Sequence, residues 1–183
     1  MNFASLEPDI SEMIREVRII EPAKTTAQNL LKNRERFLAL QNSCGVPALW
    51  VMPVFDRENP DFSSYLGNGD PLDRLTSHVP KGRGPFSTWE EGAADALKLD
   101  HVADVQEWTW AMACYSWERW NGFGPRLHGR TSGYVWAGTN QYHGGKYVGD
   151  GVWSPRTWDH QLGCFVIAKA IAELDPQIGE GLR

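Results

Sequence analysis

Val46-Pro47-Ala48-Leu49-Trp50-Val51-Met52-Pro53-Val54-Phe55, running straight into Asp56-Arg57-Glu58, is the stretch that decides the fold. The run to Phe55 is apolar nearly all round, so a helix formed by it belongs in the middle of a domain and not on its surface. It falls far short of the roughly 20 residues needed to cross a bilayer. Pro47 suits a first helical turn, whereas Pro53 lies inside the helix and is expected to kink it. Asp56, Arg57 and Glu58 then emerge from the buried rod. A carboxyl at such a place is partly withdrawn from water, a setting in which proton-transfer chemistry is tuned.

Upstream of this rod the periodicity predicts a helix over residues 9–20. Asp9 is its candidate N-cap, and Ile10, Met13, Ile14 and Val17 lie on one face. Glu21-Pro22 breaks it. A second helix is expected from about Ala23 to Gln41, ended by Asn42-Ser43-Cys44-Gly45 with Gly45 in the left-handed stop. Downstream, residues 59–86 hold several Gly and Pro and few periodic apolar residues, the pattern of a loop or short hairpin. Ser87-Thr88-Trp89-Glu90 reads as a capping box opening a helix to about Leu99. Another helix is expected from about Thr109 to Trp120, stopping at Asn121-Gly122. Residues 123–153, rich in Gly, Tyr and Trp, read as a long structured loop. Ser154-Pro155 reads as the start of the last helix, with Leu162, Phe165, Val166, Ala170 and Leu174 along its buried side. The sum is one mainly α domain over residues 1–183. Within it, residues 1–44 are helices of unassigned role and residues 45–175 are the core that would carry the site.

With 183 residues, a net charge of −5 and 22% charged residues, the composition is ordinary for one globular domain. There is no basic field to invite nucleic acid, and none to assist approach to an anionic wall. The first residues, Met1-Asn2-Phe3-Ala4-Ser5-Leu6-Glu7, carry acid where a secretion signal carries base, and no apolar segment follows. That predicts synthesis in the cytoplasm, no insertion into membrane, and release by another route. Cys44, Cys114 and Cys164 are odd in number and widely spaced, which argues against a disulfide framework or zinc site. Cys114 and Cys164 sit among apolar residues, as buried free thiols do. His78, His101, His128, His143 and His160 show no helical ligand spacing, so neither a metal nor a cofactor is expected. Core filling accounts for most of the nine tryptophans, and the rest offer flat faces that stack on sugar rings.

Glu58 ends the central helix, Asp70 comes after eleven intervening residues in the turn Asn68-Gly69-Asp70-Pro71, and Thr76 after five more. One carboxyl at a helix end, with a second carboxylate and a hydroxyl on a nearby polar loop, suits hydrolysis of a glycosidic bond. That reaction needs a proton donor at the leaving oxygen and a base or charge stabiliser across the sugar ring. Each residue also has a plainer reading. Glu58 is otherwise a solvated helix-end charge, slightly disfavoured by the helix dipole. Asp70 is otherwise a turn residue bonding its own backbone, and Asp61 is either a rival second carboxylate or an Asx turn. Trp136, Asn140, Gln141 and Tyr142 interleave amides with rings, a mixture that suits N-acetyl groups and sugar faces or a loop that hydrogen-bonds to itself. The segments Gly144-Gly145-Lys146 and Gly82-Arg83-Gly84 lack Walker spacing and a preceding buried strand, so no phosphate cradle is expected.

A central helix ending in Glu58, a short polar lobe carrying Asp70 and Thr76, and then a helical lobe resembles the layout of the lysozyme superfamily. Asp70 and Thr76 keep the mutual spacing that phage-type lysozymes have between these residue types, while the gap from Glu58 to Asp70 is longer here. Tyr65-Leu66-Gly67-Asn68-Gly69-Asp70-Pro71-Leu72 and Pro80-Lys81-Gly82-Arg83-Gly84-Pro85-Phe86 resemble segments of a group of phage and prophage endolysins. So do Tyr115 through Asn121-Gly122-Phe123-Gly124, and Tyr134-Val135-Trp136-Ala137-Gly138-Thr139-Asn140-Gln141-Tyr142.

The resemblance implies a lysozyme-like fold, with the central helix buried beside a small polar loop or hairpin lobe. It also implies muramidase activity, cleavage of the β-1,4 bond between N-acetylmuramic acid and N-acetylglucosamine. Glu58 would be the general acid, Asp70 would orient water or stabilise charge at the anomeric carbon, and Thr76 would help place the water. Tyr65, Asn68, Trp136, Asn140, Gln141 and Tyr142 would bind substrate. Arg57 would lie near the chemistry or serve as an ion-pair partner. The partner would be the glycan strands of peptidoglycan, met by a monomeric endolysin without cofactor. Two other readings remain: a chitinase-like hydrolase, and a non-catalytic sugar-binding or virion structural protein on the same fold.

Overall fold

In the computed structural model, which describes residues 1–183, the first elements are α1 (Phe3–Glu16), α2 (Lys24–Leu31), α3 (Arg34–Cys44) and α4 (Ala48–Glu58). They are followed by α5 (Trp89–Leu99), α6 (Trp110–Asn121), α7 (Gly124–Leu127) and α8 (Gly133–Trp136). A two-stranded antiparallel hairpin, β1 (Lys146–Gly149) and β2 (Val152–Ser154), precedes α9 (Cys164–Leu174) and α10 (Pro176–Gly179). The chain is therefore mainly α.

The apolar run forms α4, and every residue from Ala48 to Phe55 in it is buried. Burying each large apolar side chain there contributes roughly 1.5–3 kcal/mol, which holds α4 at the centre although Pro53 removes one of its hydrogen bonds. The helix is continuous through Pro53. It packs against α9 on one side and α3 on another, and α10 touches it as well. Residues 1–44 belong to this same core. Ile10, Ala27 and Phe37 sit in one apolar cluster with Trp50 and Phe165, as α1 packs on α6, α2 on α9 and α3 on α5.

Several boundaries differ from the sequence expectations. The first helix begins at Phe3, capped by the Asn2 side chain accepting from Ser5 N–H, and Asp9 sits inside it as an ion-pair partner of Arg126. The expected helix over 23–41 is two helices, interrupted at Lys32-Asn33, because Asn33 leaves helical geometry (ψ 22°) at a polar position with poor helix propensity. Gly45 takes the left-handed stop at φ 77°. Thr88 and Thr109 cap α5 and α6 through bonds from Glu91 N–H and Met112 N–H.

Ser154-Pro155 does not open the last helix, since Ser154 lies in β2 and α9 starts at Cys164. Proline with fixed φ serves a turn as well as a first helical turn, so the local signal was ambiguous. The start is set at long range instead. Gly163 lies so close to the Val135 carbonyl that a Cβ there would approach its oxygen to 2.3 Å. Phe165, Val166, Ile167, Ala168 and Ile171 form the buried face, and Leu174 is 40% exposed.

Residues 59–88 carry no helix or strand, only an isolated antiparallel bridge between Ser64 and Pro71. The stretch 123–153 is more ordered than a loop, holding α7, α8, β1 and the start of β2. No single helix is long and apolar enough to cross a membrane.

Candidate functional site

Glu58 closes α4, and a stack of tryptophans carries the first group that reaches it. Trp117 on α6 stacks on Trp50 of α4 with centroids 6.4 Å apart, and its Nε1 donates to the Trp50 carbonyl at 3.1 Å. One turn later Trp120 meets Trp50 edge to face at 5.9 Å and donates Nε1–H to Glu58 Oε1 at 2.9 Å. The Tyr134 hydroxyl, from α8, donates to the same oxygen at 2.8 Å. Burial, then the neighbouring Cys164 and Glu58 groups, push the Tyr134 phenol well above its ordinary pKa, so it remains a donor. Oε2 has no protein partner and is not sealed away from solvent. One carboxyl oxygen is thus fixed and the other is free for chemistry.

The neighbouring Arg57 is a structural cation. It pairs with Asp159 at 2.7 Å with both side chains at most 6% exposed. It also donates to the Gln161 and Leu162 carbonyls, and lies 4.7 Å from the Tyr134 ring centroid. Arg57 thereby helps hold the tyrosine that holds Glu58.

Two cavities lie near Glu58, and only the first is lined by it. The first, about 450 Å³, is lined by Glu58, Trp120 and Asn121, by Tyr65, Leu66, Gly67 and Pro80 from the polar lobe, and by Ala96, Leu99 and Asp100 from the end of α5. The second, about 420 Å³, is lined by Arg57, Asn121, Ser132, Tyr134, Tyr142, Asp159 and the β1–β2 hairpin. Asn121 belongs to both, and the Tyr134–Glu58 bond crosses from one lining to the other. Gly67, at φ 95°, brings its backbone against the Trp120 ring, where a Cβ would sit 3.1 Å from Cζ2.

The first cavity holds a second carboxylate, Asp100, just past the end of α5. Burial pushes the Asp100 carboxyl above the ordinary aspartate value, against the pull of the Arg119 and His101 charges. Arg119 reaches both the Asp100 carbonyl and, at 3.4 Å, its carboxylate. Sequence reading missed Asp100, which is also a carboxylate at the dipole-disfavoured end of a helix but follows an amphipathic helix and not an all-apolar one.

Asp70 and Thr76 lie outside the lining of the Glu58 cavity. Asp70 is 6% exposed, and its carboxylate accepts from Ser77 and His78 backbone N–H at 2.7 and 2.8 Å, with the Ser77 hydroxyl and His78 Nδ1 beside it. Those bonds, the His78 N–H first, hold it well below the usual carboxylate range. Thr76 donates to the Pro80 carbonyl and accepts from Arg83 N–H. Because Tyr65 N–H bonds the Asp70 carbonyl and Pro80 is held by Thr76, both residues brace the cavity wall instead of facing the acid. Asp61 is an Asx-type turn, accepting from Ser63 N–H and from the Ser63 and Ser64 hydroxyls.

Among the expected binding residues, Tyr65 lines the first cavity and donates to Asp95, and Asn68 accepts from Asp70 N–H behind it. Trp136 is fully buried, donating to Glu118 and packed on Phe165, so its face meets no ligand. Asn140 and Gln141 use their amides on the last turn of α1, donating to the Glu16 and Met13 carbonyls. Tyr142 lines the second cavity, bonded to Gly145 and Asp159 backbone. Asn140, Gln141 and Tyr142 also border a separate depression beside residues 16–21.

No protein-family model, no curated protein and no solved structure matches this chain.

Proposed function

We propose that the chain is a glycan-strand hydrolase of lysozyme-like layout, a muramidase acting on peptidoglycan in the manner of a phage or prophage endolysin. The observation that carries this reading is the setting of Glu58. One of its oxygens is anchored by Trp120 and Tyr134, the other is free, and the carboxyl lines a cavity of about 450 Å³ that also holds Asp100. The segments resembling endolysins add to it, since Tyr65, Leu66, Gly67, Pro80 and Tyr134 come from them.

In this reading Glu58 gives its proton from Oε2 to the glycosidic oxygen as the bond to the anomeric carbon breaks, and the bonding pair leaves with that oxygen. Asp100, and not Asp70, is the carboxylate that stabilises the positive anomeric carbon or takes a proton from the entering water. Thr76 and Asp70 act only through the wall they support.

Clearing of permeabilised cells and release of reducing ends from purified peptidoglycan, by wild type and Glu58→Gln, test the reading. Loss of about 10²–10⁴ in rate with an unchanged melting temperature is the expected result. Equal rates remove Glu58 from the chemistry. Turnover of chitin oligomers but not peptidoglycan selects the chitinase reading, and binding without turnover of either selects a non-catalytic sugar-binding protein.

A further inference from the structure

We infer that the depression beside residues 16–21 is a second binding site, away from the acid, for a neutral sugar unit of a glycan chain stacked on Trp158. The inference rests on the hydrolase reading only for the identity of the polymer.

Most of the nine tryptophans fill the core, but Trp158 alone among them is more than half exposed, at 52%. Its indole is nevertheless fixed. Gly144, at φ 78°, lays its backbone on one face of the ring, where a Cβ would sit 3.2 Å from Cε2. The Tyr142 ring meets the indole edge to face at 5.3 Å, and the Tyr142 hydroxyl is held in turn by the Gly145 carbonyl and Asp159 N–H. The exposed part of the indole is therefore a rigid platform.

The depression holds about 780 Å³, and Ile20, Tyr142 and Trp158 are its apolar residues. Part of its wall is already satisfied. Asn140 and Gln141 spend their amides on the end of α1, and the Gly138 carbonyl accepts from Ile20 and Glu21 N–H. The side chains of His143, His160 and Gln161 also line the space, lie exposed, and make no hydrogen bond within the protein. Arg18 stands there with Glu16 and Glu21, so charges of both signs surround it. Glu58 lines no part of it.

These groups select a ligand by their chemistry. An indole offers a broad apolar face with a polar edge, which suits the flat C–H face of a pyranose. Neutral imidazole and amide groups both donate and accept, as sugar hydroxyls do. Charges of both signs favour neither an anion nor a cation. A glycan strand repeats such units along its length, so a second point of attachment raises the effective concentration of strand at the acid. The site holds the hydrolase on its polymer while Glu58 acts on another part of it.

The test is a titration of isotope-labelled Glu58→Gln protein, which leaves the sugar intact, with N,N′,N″-triacetylchitotriose, sorbitol and inorganic phosphate. Chitotriose is expected to shift the Trp158 indole signal and the amide signals of His143, His160 and Gln161 saturably. Sorbitol has the hydroxyls without the ring and should shift none of them at equal concentration, and neither should phosphate. Trp158→Ala, verified as folded by its melting, should weaken the response at His143, His160 and Gln161 about tenfold. The sorbitol comparison needs no change at Trp158. Equal shifts from sorbitol or phosphate, no response to chitotriose, or wild-type binding by Trp158→Ala overturns the inference. Turnover that depends on Glu58 without a response at Trp158 sinks only this site. A response at Trp158 without any turnover supports the site and sinks only the hydrolase reading.

Discussion

The Tyr134 hydroxyl donates to Glu58 Oε1 at 2.8 Å across 76 residues of chain. It ties the short helix α8, whose Tyr134 lines one cavity, to Glu58 at the end of α4, which lines another. With Trp120 Nε1 on the same oxygen, the carboxyl is held in one orientation from two sides.

Tyr134→Phe removes one of those two donors and keeps the ring that Arg57 covers. A single hydrogen bond to a charged group is worth about 1.5 kcal/mol, close to a factor of ten. The turnover number on peptidoglycan should fall about tenfold with KM little changed, because the bond orients the acid and does not touch substrate. Steady-state kinetics separate the two parameters.

Asp100→Asn should cost about 10² in turnover, while Asp70→Asn should leave turnover within a fewfold of wild type at neutral pH. Burial raises the Asp100 carboxyl, so the acid limb of the rate profile should lie above the ordinary aspartate value of about 3.9. That limb should vanish in Asp100→Asn. Rate profiles from pH 3 to 8 decide the matter, and a limb that survives the substitution assigns it elsewhere.

Asp70 should matter for stability instead. Its folded-state pKa is lowered by the Ser77 and His78 bonds, so its contribution is fully present above the unfolded aspartate value and disappears as pH falls through the folded value. Asp70→Ala should therefore melt below wild type at pH 7, and the difference should shrink steadily between pH 4 and pH 2. Thermal melts at several pH values read this directly; a gap independent of pH assigns the loss to packing.

Asp159→Ala leaves Arg57 charged and buried without its partner. Breaking such a pair from one side costs about 3–5 kcal/mol. Replacing both residues by apolar ones of similar volume should recover much of that loss. Urea unfolding of the single and double variants measures both quantities.

The readable parts of the sequence were those in which a signal lies within a turn or two of the residue it governs. The helix starts near Ser87-Thr88 and Thr109 and the stop at Gly45 were legible, although the cap of α5 is Thr88 with Glu91, one residue after the box as read, and of the two readings of Asp61 the turn is the one found. At Asp70 the turn reading belongs to its neighbour: Asn68 accepts from Asp70 N–H, while the Asp70 carboxylate bonds the Ser77 and His78 N–H groups seven and eight residues on, beyond a local signal. Ser154-Pro155 misled because its pattern fits a turn as well as a helix start, and the close approach of Gly163 to Val135 set the start of α9 instead. The break at Lys32-Asn33 rests on the weak helix propensity of one asparagine, a signal too small to stand out in a long apolar-periodic stretch.

The sequence by itself determined the mainly helical class, the burial of α4 and the emergence of Glu58 at its end, because an unbroken apolar run admits no surface face. The tertiary structure alone decided what Glu58 meets. Trp120 and Tyr134 reach it from 62 and 76 residues away, and Asp100 joins its cavity from the end of another helix. Periodicity and capping act over one or two turns, whereas the partners of a carboxylate are set by how whole elements pack. That is why the position of Glu58 could be read in advance and its company could not.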